Sequence, residues 1–296
     1  MPSLQSLRRK IGSVKNTQKI TKAMKMVASA KLKRAQERIL AARPYAHKMR
    51  EVLGNLSQRG NRAAFPLTHK REVTRVEIMV VTSDRGLCGG FNGNITRRAV
   101  EVLRDYERRG VPVTVSVIGR KGRDFFRRRT WPIRQEWTGI FDRLTYEHGL
   151  DIGQDLCDRF IEGAFDELHV IYNEFKSAIQ QRVIVEKLFP IDPPEELAAA
   201  SPPRQGTAIL RGNYLYDEGD MERLVVLFPK HIETQTFRML LESSAAEQGA
   251  RMAAMDGATR NAGELIKKLT LYYNKTRQAA ITKELMDIVG GVEALR

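Results

Sequence analysis

The segment that most resembles a ligand-binding motif is a glycine-rich loop, SDRGLCGGFN, at residues 83–92. It follows an apolar run that predicts a buried strand and precedes a predicted helix, which is where phosphate-binding turns lie in α/β proteins. The loop lacks the GK[ST] of a Walker sequence and does not spell GxGxxG. We therefore favour a tight strand-to-helix turn over nucleotide binding, and we predict no cofactor.

The residues that could support nucleophilic or metal chemistry are few and scattered. Cys88 and Cys157 are the only cysteines, and the five histidines include no HExxH pair. A catalytic thiol needs a neighbouring base, and a zinc site needs clustered ligands. We predict no catalytic residue and no metal site, and the absence of a disulfide framework favours a reducing compartment.

A basic tract, RKGRDFFRRR at residues 120–129, is the third candidate. Its six basic residues surround Phe125 and Phe126, a combination found where proteins stack single-stranded nucleic acid. Helical spacing also allows the two rings to anchor one face of a short helix while the arginines are solvated. Lipid headgroups are a further target of such clusters.

Positive charge is concentrated at one end of the chain. The 296 residues carry +15 overall, and residues 1–59 carry +13 of it, with 15 basic residues against Glu37 and Glu51. Such a segment favours an acidic partner: nucleic acid, an anionic membrane surface or acidic protein loops. No apolar run reaches the roughly 18 residues that cross a bilayer, so we predict no membrane span, and the N-terminus predicts no cleaved presequence.

The middle of the sequence predicts an α/β domain over residues 72–190. Apolar, β-branched runs alternate there with helical segments, which is typical of a sheet with right-handed crossovers. The predicted strands are 73–83, 111–119, 167–175 and 182–190. The Pro- and Ala-rich residues 191–219 predict a loop.

Two long helices are predicted to flank this domain, over residues 1–60 and 220–296. In the first, alternate steps of three and four residues from Leu4 give an apolar seam. The seam is interrupted only by Gln18, Thr21 and Lys25. Helices on either side of an inserted domain can pair as an antiparallel coiled coil, so the predicted fold class is α/β, a long antiparallel coiled coil with an inserted Rossmann-like domain.

Matching the apolar positions of the two helices gives a predicted register. With Leu4 set opposite Leu269, the polar interruption of the first helix falls near Gln248 and Arg251 of the second. Lys25 and Arg251 are both cationic, so we expect acids from a partner protein to reach them.

Three glycines of the second helix each cost about 1 kcal/mol against alanine. Close approach of another backbone is one explanation, and a loosely packed stretch is the other. These glycines are Gly249, Gly257 and Gly263.

The predicted register leaves the residues after Tyr272 without a partner in the chain. A lone helix of that length is marginal in water, so we predict that another protein buries it. Its apolar residues are Ile281, Leu285, Ile288 and Val289.

Two stretches resemble the terminal helices of the γ subunit family of F-type ATP synthases: IGSVKNTQKITKAMKMVASAKLKRAQ (11–36) and LYYNKTRQAAITKELMDIVGGVEAL (271–295). SDRGLCGGFN is similar to that family's signature loop. The resemblance implies a non-catalytic rotor that couples proton-driven rotation of a c ring to conformational cycling of the catalytic β subunits. It also implies a bacterial enzyme and a position on the cytoplasmic face of the inner membrane.

The resemblance further implies the partners and the contact residues. The partners are three α and three β subunits, the ε subunit and the c ring. Contacts with the ring of α and β subunits carry over to Arg277, Gln278 and Thr282 near the tip, and to Met24, Lys25 and Arg251 lower down. The four apolar tip residues would turn in a hydrophobic collar, and the polar interruption would present weak contacts that exchange at each step.

Two other classes of protein compete with this interpretation. A basic coiled-coil nucleic-acid-binding protein would bind with strong salt dependence. However, the basic helix has no aromatic residue before Tyr45. A small α/β enzyme with helical arms would need a group of titratable residues within 75–190, and the sequence supplies none that we can assemble.

Overall fold

The computed structural model describes residues 3–57, 66–177, 180–191 and 227–293. Most of the predicted 191–219 loop, and the predicted helix start at residue 220, lie outside these ranges. The helices are α1 (Leu4–Ser57), α2 (Phe91–Arg108), α3 (Arg120–Phe126), α4 (Tyr146–Ile161) and α5 (Leu227–Glu293). The strands are β1 (Val76–Val81), β2 (Val113–Ile118), β3 (Ile133–Trp137), β4 (Glu167–Phe175) and β5 (Gln181–Phe189). Short 3-10 helices lie at Pro66–Thr68 and Ile140–Arg143.

The five strands form one sheet in the order β3-β2-β1-β4-β5. The first four are parallel, and β5 pairs antiparallel with β4. Strand β3 was missing from the sequence prediction. Its residues, IRQEW, include no apolar run, and they become a strand because β2 offers them a free edge to pair with.

Helices cover both faces of the sheet, so its central strands are buried on both sides: all six residues of β1 are buried. On one face, α2 inserts Ile95, Ala99 and Leu103 against the strands, and all three are fully buried. On the other face, α4 approaches β1, and Arg159 donates a hydrogen bond to the buried carboxylate of Glu77 at 3.0 Å.

The glycine-rich loop joins β1 to α2 as a closed turn. The side chain of Asn92 accepts from the backbone N–H of Ser83 at 3.0 Å and donates to its hydroxyl at 2.8 Å. Asp84 accepts from the backbone N–H groups of Arg120 and Gly139 at 3.1 and 2.9 Å. The polar groups of this loop therefore hold the ends of neighbouring elements together.

Contacts divide the chain into two compact units. Unit 1 contains the chain up to Ala30 together with the chain from Arg251 onward, and unit 2 contains Lys31–Ala250. Both α1 and α5 are continuous helices that contribute to each unit. In the described parts of the chain, no helix combines the length and the apolarity that crossing a membrane requires.

Candidate functional site

The polar interruption of the α1 seam faces α5 in unit 1. The hydroxyls of Thr21 and Thr259 lie 2.8 Å apart, and the amide of Gln18 donates to the Thr259 carbonyl at 3.4 Å. The ammonium of Lys25 lies 2.6 Å from a carboxylate oxygen of Asp256. The two helices are therefore antiparallel, and the polar groups of one meet polar groups of the other.

The predicted register is wrong by about two helical turns. Lys25 lies beside Asp256 and Gln18 beside Thr259, whereas the prediction set them near Gln248 and Arg251. A heptad pattern determines which face of a helix is apolar, but sliding one helix by a heptad preserves the apolar match. The pattern therefore could not select between neighbouring registers.

The acid beside Lys25 belongs to the same chain, so the expectation that only a partner could supply it is wrong. The hydrogen bond from Lys25 lowers the pKa of Asp256. Both side chains remain partly exposed, so the pair is weakly held. Met24 and Arg251, the other residues predicted at this level, are half-buried.

Gly257 and Gly263 of α5 do not mark a close backbone contact. A Cβ built on Gly257 would meet nothing within 4 Å, and one built on Gly263 would meet the side-chain nitrogen of Gln18 at 3.0 Å. The loosely packed alternative therefore applies to Gly257. Gly263 makes room for a polar side chain, and Gly249 is buried.

The end of α5 presents a row of exposed apolar side chains. Five of them are between 47% and 66% exposed: Ile281, Leu285, Met286, Ile288 and Val289. Extending the observed register places Leu4, at the start of α1, level with about Arg277. The row thus continues beyond the described end of α1, in keeping with the predicted unpartnered tip.

The predicted polar contact residues stand just before and within this row. Arg277, Gln278 and Thr282 are all exposed. The Thr282 hydroxyl donates to the Gln278 carbonyl at 3.0 Å, a bond that leaves the hydroxyl's lone pairs free to accept. Side chains of this kind can form exchangeable polar contacts with a neighbouring protein.

Sequence reasoning missed a second apolar surface in unit 1. On α1, Ile20, Met26 and Val27 are each about 60% exposed. They lie off the heptad seam, where a helix in water normally carries polar residues. Apolar residues at off-seam positions were the signal that could have identified them.

The segments that resembled chemical sites have structural explanations. Burial raises the pKa of the Cys157 thiol to about 12, so that thiol is protonated at neutral pH. In the basic tract, Phe126 is fully buried and cannot stack on a base. Arg127 there pairs with Glu136 at 2.9 Å, and the Arg129 guanidinium lies 4.8 Å from the Phe125 ring.

A family model described as ATP synthase matches residues 3–295. The ATP synthase gamma chain of Geotalea daltonii is 45% identical over 296 residues, and that of Anaeromyxobacter sp. (strain Fw109-5) is 46% identical over 299, each covering the whole of both chains. The chain belongs to the ATP synthase gamma chain family. No comparison supports the nucleic-acid-binding alternative.

Solved structures of ATP synthases share the gamma chain fold seen here. A chain from the central stalk and c-ring of the Tetrahymena thermophila mitochondrial enzyme is 26% identical, with a TM-score of 0.60 over 81% of this chain and 99% of that one. A rotor chain from Euglena gracilis is 18% identical, with a TM-score of 0.60 over 94% and 98%. The predicted fold class, an α/β domain between two long terminal helices, is confirmed.

Proposed function

We propose that this chain is the central-stalk rotor subunit of a bacterial ATP synthase, bound at the cytoplasmic face of the inner membrane. Its partners are three α and three β subunits, an ε subunit and a c ring. The chain itself carries no catalytic residue. Its role is to transmit rotation driven by proton flow to the β subunits, where ATP is made or hydrolysed.

The observation that carries the proposal is the exposed apolar end of α5, in a member of the gamma chain family. Contiguous exposed apolar side chains mark surfaces that another protein covers. A collar of α and β subunits around Ile281, Leu285, Ile288 and Val289 would bury them. Small residues such as Ala279 and Ala280 keep this part of the helix slim, which suits a bearing.

The contacts that drive the β subunits are polar in this proposal. Arg277, Gln278 and Thr282 meet successive β subunits as the rotor turns. Exposed ionic and hydrogen-bonding contacts are each worth only about 0–1 kcal/mol, so none of the three rotor orientations becomes a deep energy minimum.

Contacts lower on the coil follow the same principle. The ring of α and β subunits contacts Met24, Lys25 and Arg251 there. The partly exposed Lys25–Asp256 pair gives Lys25 an alternative partner within the chain. Exchange between an acid of the ring and Asp256 keeps the lysine paired at every angle.

The decisive experiment is the double variant Arg277→Ala/Gln278→Ala in the reconstituted complex. We expect ATP-driven proton pumping per ATP hydrolysed to fall by up to about tenfold, the equivalent of two lost contacts. Helix content, read by circular dichroism of the purified chain, should be unchanged because both side chains are exposed.

The matched control is Lys267→Ala/Lys268→Ala, which removes two exposed side chains from the same helix. It should keep the parental coupling ratio. Normal assembly and normal coupling in the Arg277/Gln278 variant would refute the assigned contacts. Failure of the parental chain to co-purify with α and β subunits would refute the rotor function itself.

A further inference from the structure

Within unit 2, the first part of α5 is enclosed on all sides. From His231 to Thr236 six consecutive residues are buried, and five of them are polar, including Glu233. A helix that is buried all round is held by its neighbours on every face. Two different kinds of contact hold this segment.

The first contact is a close approach of α4. Gly149 and Gly153 lie four residues apart on one face of α4. A Cβ built on Gly149 would lie 2.6 Å from the Cβ of Phe237, and one on Gly153 would lie 2.9 Å from the Cα of Glu233. The backbone of α4 therefore lies in close contact with α5, and the Tyr146 hydroxyl of α4 also donates to Glu233 at 3.1 Å.

The second contact is a directional polar cluster around Arg238. One terminal nitrogen of its guanidinium lies 2.7 and 3.0 Å from the two carboxylate oxygens of Glu186 on β5. The other donates to the Tyr172 hydroxyl on β4 at 3.2 Å and to Glu242 at 3.0 Å. The Tyr172 hydroxyl in turn donates to Glu186 at 2.6 Å.

The environment of the cluster makes these bonds strong. The Arg238 side chain is only 25% exposed, and Tyr172 is fully buried. Charge-assisted hydrogen bonds are about twice as strong as neutral ones and hold a fixed geometry. The bonds to Glu186 and Tyr172 run from α5 to two adjacent strands, so turning α5 relative to the sheet would break them together.

We propose that Arg238 locks α5 to the sheet of unit 2 against rotation, and so serves as a positioning residue for torque transmission. The inference rests on the proposed rotor function, because only a chain that turns under load needs such a lock. The same continuous helix carries Arg277 and the apolar tip. If α5 could rotate within unit 2, torque applied to unit 2 would therefore turn α5 less than it turned the sheet. The proposed contacts with β would then receive only part of that torque.

The test uses Arg238→Met in the full ATP synthase reconstituted into vesicles. We measure ATP hydrolysis with the membrane made proton-permeable, where the rotor turns without load, and ATP synthesis driven by a proton gradient, where it turns under load. We expect unloaded hydrolysis to match the parent and loaded synthesis to fall by roughly tenfold, the rate equivalent of one lost charge-assisted hydrogen bond. A purely structural role would lower assembly and both rates together.

Two further variants keep the test decisive. Arg238→Lys keeps the charge but loses the paired geometry, so its synthesis rate should be intermediate. The exchange Arg238→Glu/Glu186→Arg should restore part of the synthesis that Arg238→Glu alone loses. The matched control is Arg127→Met, because Arg127 also pairs with both carboxylate oxygens of one glutamate, Glu136, but at the surface of unit 2.

Each outcome decides the question. Parental synthesis in an assembled Arg238→Met complex, or an equal loss in Arg127→Met, overturns the lock. If Arg238→Met does not assemble, the same two rates are measured in Arg238→Lys and in Arg238→Glu/Glu186→Arg. Equal losses of synthesis and hydrolysis in these variants overturn the proposed lock. Failure of the parental chain to support coupled synthesis would instead refute the rotor function.

Discussion

Replacing Gly149 of α4 by alanine should destabilise unit 2, although the same substitution stabilises most helices. A Cβ at this position would lie 2.6 Å from the Cβ of Phe237 and 3.1 Å from its Cα. Optimal contact between non-bonded carbons is about 3.5–4.0 Å. The two helices would therefore have to move apart locally by about 1 Å.

The size of the effect follows from two opposing terms. Overpacking costs about 1–3 kcal/mol, and the higher helix propensity of alanine offsets about 0.5–1 kcal/mol. With both terms near the middle of their ranges the net loss is about 1 kcal/mol, which lowers the melting temperature of a unit of this size by about 2–4 °C. Gly153→Ala should behave in the same way, because its Cβ would meet the backbone of Glu233.

The assay is thermal unfolding of the purified chain, followed by circular dichroism, with hydrogen exchange of the α4 amides as a local readout. Gly93→Ala in α2 is the control within unit 2, since a Cβ there meets nothing within 4 Å. It should leave the melting temperature equal or higher. A Gly149→Ala chain that melts at or above the parental temperature would refute the close contact of α4 with α5.

Three other expectations concern single residues. Asp166→Asn replaces a carboxylate, one oxygen of which accepts three hydrogen bonds from Thr74 and Arg75, by a neutral amide. Burial opposes the charge of Asp166, but these bonds outweigh burial and lower its pKa. The free energy of unfolding should fall by about 1–3 kcal/mol at pH 7. This difference from the parent should shrink below about pH 4, because the parent then loses the advantage of its ionised carboxylate. Urea midpoints at pH 7 and pH 3 measure the difference, and an equal difference at both would contradict this role of the carboxylate. Leu285→Glu should leave the melting temperature of the purified chain unchanged, because the side chain is 57% exposed, yet abolish co-purification with α and β subunits; retained co-purification would count against the collar. Lys25→Gln should raise the pKa of Asp256 toward its ordinary value, since the hydrogen bond from Lys25 is the largest of the causes that lower it, while the charge of Arg260 remains. NMR titration checks this, and an unmoved pKa would be inconsistent with the pair.

The sequence predicted the faces of the long helices well and their alignment badly. Heptad positions Leu7, Ala28, Leu32 and Ile39 are buried as expected, because periodicity along a helix is a local property. Alignment depends on specific pairs across the interface, such as Lys25 with Asp256. A pattern of apolar residues carries no information about such pairs.

Other features escaped prediction because they depend on three-dimensional neighbours. Glycines at 149 and 153 reduce helix propensity, and only the position of α5 explains them. Arg238 is one of 50 basic residues, and nothing in its local sequence distinguishes it. The predicted rotor contacts Arg277, Gln278 and Thr282 came from family resemblance, and they stay a prediction.

The two units differ in how much apolar surface they bury, and this difference bears on the proposed mechanism. Among the described residues of unit 1, the buried apolar side chains are Leu7, Ala28, Met255 and Ala262. Unit 2 contains a continuous core between its sheet and α2. A two-helix pair with so small a core gains much of its stability from whatever surrounds it. In the proposed rotor this would be an advantage, since a surrounding ring of subunits would supply similar contacts at every orientation while the polar seam stays satisfied within the chain. The rigid attachment is then needed at the other end of α5, where we propose that Arg238 provides it.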